Sequence, residues 1–141
     1  MPKVHNDVPT HLRLADKLHH DCVVCGANDP LGLGLEFQPG ADGTMTLIFN
    51  PQYFQGYNDR LHGGIISLLF DTAMTHCIFS LGITAVTGSL NLRFLHPVQT
   101  SKPVYIKAQI EKMRLPLFVL SGRLLQRNLQ LVTATGKFMK S

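Results

Sequence analysis

The chain has 141 residues, of which 45% are hydrophobic and 16% charged, which is enough for one well-packed core but too short for two ordinary domains. Its formal net charge of +4 reflects scarce acids, since nine Asp and Glu stand against thirteen Lys and Arg. The basic residues are scattered singly, without the basic run that is typical of a nucleic-acid-binding protein. We therefore predict a single domain over residues 1–141 and no nucleic-acid partner.

Residues 1–30 are predicted to form a leader, with a short helix at about Thr10 to His20 followed by a turn-rich loop. The first twenty residues contain no uninterrupted apolar stretch, and the apolar segment Ile65 to Leu81 is interrupted by polar side chains. We therefore expect neither a signal peptide nor a membrane span.

The three cysteines, Cys22, Cys25 and Cys77, cannot all pair within one chain. This count favours a reducing compartment, and we expect the cytoplasm. Cys22 and Cys25 have the spacing of half a zinc site, but no second Cys pair with that spacing follows. A structural loop is the better interpretation, so we predict no metal site.

The rest of the chain is predicted to form two strands, one helix and four further strands. The strands are expected at Leu31–Gln38, Thr44–Asn50, Ala85–Leu95, Val104–Met113, Leu117–Arg127 and Leu131–Met139. The helix, Gly63 to Leu81, is apolar on almost every face, so it must be buried. We predict an α+β fold in which one curved antiparallel six-stranded sheet wraps around this long central helix. The free edges of such a sheet favour a homodimer or a homotetramer built as a dimer of dimers.

Asp71 is the sharpest feature of the helix, because it is the one acid between Asp59 and Glu111 and has apolar neighbours. A carboxylate in such surroundings can serve as a general base or as a nucleophile. It can also be purely structural and hold the core in register by bonding Ser67, Thr75 or an opposing strand. Asp71 alone does not separate these interpretations.

The start of the helix favours the catalytic interpretation of Asp71. Gly63 and Gly64 stand where a capping Ser, Thr or Asp is usual, so we expect backbone N–H groups to be left for a ligand oxygen. Without side chains at these positions, a substrate carbonyl can approach the backbone, and the N–H groups would stabilise a developing oxyanion.

These residues carry a family resemblance. Gln55-Gly56-Tyr57 and His62-Gly63-Gly64, with Asp71 nine residues after His62, resemble the signature of the PaaI-type acyl-CoA thioesterases of the hotdog-fold superfamily. The segment that begins at Cys22 and the stretch Thr87 to Phe94 resemble the flanking parts of that family. The resemblance covers the chain from about Cys22 to the C-terminus.

The resemblance implies hydrolysis of a small-to-medium or aromatic acyl-CoA, with Asp71 as base or nucleophile and the Gly64 N–H polarising the thioester carbonyl. Coenzyme A is part of the substrate, so no separate cofactor is implied. The implied supporting residues are His62 and Gly63 at the helix start, Gln55 and Asn58 in the preceding loop, and Thr87 on the next strand. In that family each site lies at a dimer interface, so Thr87 is expected to meet Asp71 of the partner subunit.

The match has one departure: many relatives have Pro-Gly where this chain has Asn58-Asp59, and bulky Arg60 follows. Arg60 can pair with Asp59, contact a coenzyme A phosphate, or approach Asp71. The alternative function is a non-catalytic acyl-CoA-binding or sensor module of the same fold.

Overall fold

The computed structural model describes residues 35–40 and 44–141, so the predicted N-terminal helix and the Cys22-x-x-Cys25 segment lie outside the described residues. The described residues form one helix and six strands in the predicted order. Their bounds are β1 Glu36–Pro39, β2 Met45–Phe49, α1 Gly63–Phe79, β3 Ala85–Phe94, β4 Val104–Arg114, β5 Leu117–Gln126 and β6 Leu129–Lys140.

All six strands belong to one antiparallel sheet in the order β1-β2-β4-β5-β6-β3. Strands β4, β5 and β6 follow one another as a meander, whereas β3 pairs with β6 at the far edge. The chain between β2 and β3 must therefore cross the sheet, and α1 makes this crossing in contact with β2 through β6. This arrangement confirms the predicted hotdog fold.

The side chains of α1 are buried on most sides of the helix, as its apolar sequence predicts. The helix comes very close to the sheet at Gly122 and Gly136. A Cβ atom at Gly122 would lie 2.8 Å from the Phe70 ring, and one at Gly136 would lie 2.5 Å from Met74 Sδ. These two glycines therefore set the depth at which α1, and with it Asp71, lies against the sheet.

The helix ends two residues earlier than predicted, at Phe79 instead of Leu81. Ser80 caps it, and the last N–H groups turn to closer carbonyls, since Gly82 N–H donates to Phe79 O at 2.9 Å. Gly82 has a φ of +76°, a conformation that glycine adopts without strain. In the described part of the chain, no helix is long and apolar enough to cross a membrane.

The turn between β5 and β6 also differs from the prediction by one residue. Arg127 and Asn128 form it with φ values of 54° and 64°, as a two-residue turn of the I′ type requires. Leu129, which was predicted to lie in the turn, instead begins β6. Of the first hairpin, residues 31–34 and 41–43 lie outside the described residues.

Candidate active site

The start of α1 is capped by His62, contrary to the expectation of an uncapped, glycine-led start. His62 has extended backbone geometry, and its Nδ1 accepts a hydrogen bond of 2.9 Å from the Gly64 N–H. Imidazole thus takes the place of the usual Ser, Thr or Asp oxygen. Among the described residues, the N–H groups of Gly63 and Ile65 have no acceptor. The helix therefore still presents free donors beside the one that His62 occupies.

The loop before α1 uses Gln55 to hold its own shape. Gln55 Oε1 accepts a hydrogen bond of 3.3 Å from Asp59 N–H, and the Gln55 backbone bridges Leu61. Asp59 takes a φ of 60° at the turn. Asn58 is exposed and forms no hydrogen bond among the described residues. The predicted roles of Gln55 and Asn58 toward water or substrate stay predictions, and Gln55 has a structural role as well.

Asp71 and Thr87 form a close pair within one chain. Thr87 Oγ1 donates to Asp71 Oδ1 at 2.6 Å, the length typical of a hydroxyl bound to an ionised carboxylate. The expectation that Thr87 meets Asp71 of a partner subunit is therefore wrong for this contact. Asp71 is half-buried rather than fully buried, and Thr87 is exposed, so solvent can reach the pair.

The pair forms because β3 runs back along α1. From Asp71 to the end of the helix at Phe79 the chain advances about 12 Å, at about 1.5 Å per residue. After a short turn, the extended chain from Ile83 to Thr87 returns about 13 Å, at about 3.3 Å per residue. Helix and strand thus bring Thr87 level with Asp71 at a separation of 16 residues.

The other hydroxyl groups near Asp71 are bonded to the helix itself. Ser67 Oγ donates to Gly63 O at 3.1 Å, and Thr75 Oγ1 donates to the backbone O of Asp71 at 2.8 Å. Neither hydroxyl bonds the Asp71 carboxylate. Of the structural alternatives for the Asp71 carboxylate, only contact with an opposing strand is present, and Thr87 supplies it.

A cavity of about 780 Å³ opens beside the start of α1. Its apolar wall consists of Leu61, Ile66, Phe94, Leu95, Pro97 and Val98. Its polar rim consists of Tyr57, Arg60, His62 and His96, and the backbone of Gly56 and Gly63 completes the lining. An apolar cleft with a few polar groups at its rim is the usual form of a small-molecule site.

The cavity and the acid–hydroxyl pair lie at different heights on the helix. Gly63 lines the cavity, whereas Asp71 and Thr87 do not. Asp71 is the eighth residue after Gly63 in the helix, which corresponds to about 12 Å along the axis. One chain therefore presents the two predicted halves of the site apart from each other.

The loop between β3 and β4 contributes residues that the sequence analysis did not select. His96, Pro97 and Val98 line the cavity, and Val98 O accepts a hydrogen bond of 2.8 Å from Leu61 N–H. The prolines predict a loop here, but no local pattern indicates that it folds against the helix start. This contact joins segments more than thirty residues apart.

One helix enclosed by a six-stranded antiparallel sheet, with an acid on the helix and glycines at its start, defines a protein of the hotdog class. The chain belongs to the Thioesterase superfamily, whose family profile matches residues 58–133. The matched segment includes the helix start, Asp71 and Thr87.

Two curated relatives share this region. The chain is 30% identical over 115 residues to the bovine (Bos taurus) acyl-coenzyme A thioesterase THEM4, covering 77% of this chain and 47% of the relative. It is 28% identical over 105 residues to MIOREX complex component 3 of Saccharomyces cerevisiae, covering 72% of this chain and 39% of the relative. The chain thus spans less than half the length of these relatives.

Solved structures share the fold. The PaaI protein of Escherichia coli, from the phenylacetic acid degradation operon, superposes with a TM-score of 0.72 at 20% identity, covering 77% of this chain and 85% of that one. A hypothetical thioesterase of Streptococcus pneumoniae, solved with coenzyme A, gives a TM-score of 0.72 at 18% identity, covering 76% and 88%. That pneumococcal protein was also solved with an aspartate and, separately, a threonine replaced by alanine, at positions sixteen residues apart.

Proposed function

We propose that this chain hydrolyses acyl-CoA thioesters with a small-to-medium or aromatic acyl group, and that Asp71 is the general base or nucleophile. The observation that carries the proposal is the 2.6 Å hydrogen bond from Thr87 to Asp71. It orients a half-buried carboxylate and leaves one of its oxygens, Oδ2, available for a water molecule or a carbonyl carbon. The coenzyme A bound in the pneumococcal structure supports the substrate class.

The pneumococcal variants support the same pair of residues. Asp71 and Thr87 are separated by 16 residues, and the aspartate and threonine replaced in that protein have the same separation. The bovine relative, an acyl-coenzyme A thioesterase by name, supports the reaction type. The proposal requires no cofactor, since coenzyme A is part of the substrate, and the cytoplasmic location stays a prediction.

In the proposed reaction the Gly64 N–H polarises the thioester carbonyl, and Gly63 lets the substrate approach the backbone. Because His62 Nδ1 accepts the Gly64 N–H at 2.9 Å, the carbonyl oxygen must replace the imidazole at this donor. The exposed ring of His62 has room to turn aside. His62 thus holds the helix start in shape until substrate arrives.

We further propose that the catalytic unit is a homodimer, or a tetramer made of two such dimers. Gly64 and Asp71 are about 10 Å apart along the helix. A thioester whose carbonyl oxygen binds the Gly64 N–H must have its carbonyl carbon about 3–3.5 Å from the attacking oxygen at Asp71. The two residues of one chain therefore cannot serve the same thioester, but Gly64 of one copy and Asp71 of another can. Edge strand β3 supports this pairing because Val86 and Phe94 are 58% and 54% exposed there.

The deciding experiment is free-thiol release from short, medium, aromatic and long acyl-CoAs, with wild type, Asp71→Ala and Asp71→Asn. Turnover by wild type and near-complete loss in both variants are expected, because an amide keeps the shape but is a poor base and nucleophile. Glu111→Gln is the matched control, since it removes an exposed carboxylate from the sheet. Full activity of Asp71→Ala would overturn its role, and binding without thiol release by wild type would favour the acyl-CoA sensor.

Mixing two inactive variants tests the dimer. Gly64→Pro removes the proposed carbonyl donor together with its cap bond to His62, and Asp71→Asn removes the base. If each site combines residues of two copies, a one-to-one mixture that exchanges subunits regains about a quarter of the wild-type sites by statistics. No recovery in a mixture proven to exchange subunits would place both residues on one chain's site.

A further inference from the structure

Arg60 is a cation at the rim of the cavity that no carboxylate in the described part of the chain neutralises. Neither Asp59 nor Asp71 forms an ion pair with it, and Asp71 is instead bonded to Thr87. Within one chain, two of the three roles open to Arg60 from the sequence are therefore absent. The role left to it within the chain is contact with an anionic group of a ligand.

The backbone of Arg60 is held firmly although its side chain is exposed. Arg60 N–H donates to Tyr57 O at 3.0 Å, and Arg60 O accepts from Gly56 N–H at 2.8 Å. Arg60 also bridges Gln99 of the β3–β4 loop. The guanidinium thus extends from a fixed point, which lowers the entropy lost when it binds a ligand.

The chemistry of the cavity complements an apolar chain that carries a negative group. Its wall is apolar, the described residues that line it include no carboxylate, and Arg60 and His96 lie at the rim. Gly63 is the third residue after Arg60, so their Cα atoms are at most about 11 Å apart. A substrate whose thioester lies at the helix start can therefore place an anionic oxygen within reach of Arg60.

We propose that Arg60 is a specificity-determining residue that binds an anionic oxygen group of the thioester substrate. The group is a phosphate of coenzyme A or a carboxylate at the far end of the acyl chain, since a guanidinium binds both in the same way. The inference rests on the proposed thioesterase function. It adds that the enzyme selects its substrate by charge as well as by apolar fit.

The test compares wild type with Arg60→Gln and Arg60→Lys on three substrates. These are butyryl-CoA, butyryl-pantetheine, which lacks the phosphates, and succinyl-CoA, which adds a terminal carboxylate. If a phosphate is bound, Arg60→Gln lowers kcat/KM about tenfold on both CoA thioesters and not on butyryl-pantetheine. If the carboxylate is bound, the loss is confined to succinyl-CoA. In either case kcat/KM falls because KM rises, and Arg60→Lys retains part of the wild-type kcat/KM.

Arg114→Gln is the matched control, since Arg114 is exposed at the end of β4, away from the cavity lining. An equal loss on all three substrates, or no loss on any, would overturn the role of Arg60. Calorimetric titration with coenzyme A and with succinate is run in parallel on wild type and Arg60→Gln. This titration separates the role of Arg60 from the proposed thioesterase function. Weaker anion binding by Arg60→Gln supports the role of Arg60 even if wild type releases no thiol.

Discussion

The hydroxyl of Thr87 offers a direct test of the site, through the substitutions Thr87→Val and Thr87→Ser. Valine keeps the branched shape of threonine but loses the donor to Asp71, whereas serine keeps the donor. We expect Thr87→Val to turn over slowly and Thr87→Ser to stay within about threefold of wild type. Thr87 is a positioning residue in this scheme, since it acts through Asp71.

The size of the effect follows from the geometry of the bond. A hydrogen bond to a charged group contributes about 1.5–3 kcal/mol, and 2.6 Å between Thr87 Oγ1 and Asp71 Oδ1 marks a strong one. Thr87 is exposed and Asp71 half-buried, so water compensates part of the loss and the lower figure applies. About 1.5 kcal/mol corresponds to a fall in kcat of about tenfold.

The assay is thiol release at saturating acyl-CoA, which reports kcat, together with thermal unfolding of each variant. Thr84→Val is the control, because Thr84 Oγ1 lies 3.2 Å from Ser141 Oγ at the chain end and does not contact Asp71. A Thr87→Val enzyme with more than half of the wild-type kcat and unchanged Tm would refute an orienting role for the hydroxyl.

Three further predictions concern stability and reactivity. Gly122→Ala should lower the unfolding free energy by about 1–3 kcal/mol, because the new Cβ lies 2.8 Å from the Phe70 ring; urea unfolding measures it. Hydrogen bonds from Ser121 and Gln109 hold the pKa of Glu111 below its ordinary value of 4.5. Ser121→Ala should therefore destabilise the protein at neutral pH, with the difference vanishing as pH falls through the lowered pKa. Burial raises the pKa of Cys77 to about 12, so a thiol reagent should label it only on unfolding, in a variant without the other two cysteines.

Each of these predictions has a clear contrary result. Gly40→Ala is the control for Gly122→Ala, since its Cβ would meet only ordinary contacts of 3.5 Å or more; equal stability losses would contradict the packing argument. A Ser121→Ala effect that persists at acidic pH would show that Glu111 is not its cause. Rapid labelling of native Cys77 would contradict its burial.

The sheet and its order of elements were predictable because their signals are local. Val104, Ile106 and Ala108 alternate with exposed residues along β4, since α1 covers one face of the sheet. The apolar character of α1 on all sides predicts its burial among several strands. The ends of these elements were less predictable, because Ser80 and Arg127 take their conformations from hydrogen bonds and strand register rather than from residue preference.

The candidate site was predictable in its residues but not in its contacts. Asp71 stands out as an isolated acid, and its partner Thr87 was selected through the family resemblance. Whether that contact falls within one chain depends on how β3 returns along α1, which no residue pattern encodes. The cap by His62 was missed because imidazole is an uncommon capping group. The role proposed for Arg60 depends on the cavity beside it, which the sequence alone does not reveal.

Because β3 returns antiparallel along α1, the number of residues between Asp71 and Thr87 determines whether the two side chains meet. The length of this segment fixes their contact, even though the turn at Ser80 to Gly82 bonds neither residue of the pair. In a strand, adding or removing one residue sends every later side chain to the opposite face. Inserting or deleting one residue in this turn, if it shifts β3, would therefore point the hydroxyl of Thr87 away from Asp71. The hydrogen bond of the pair would be lost although neither of its residues is changed.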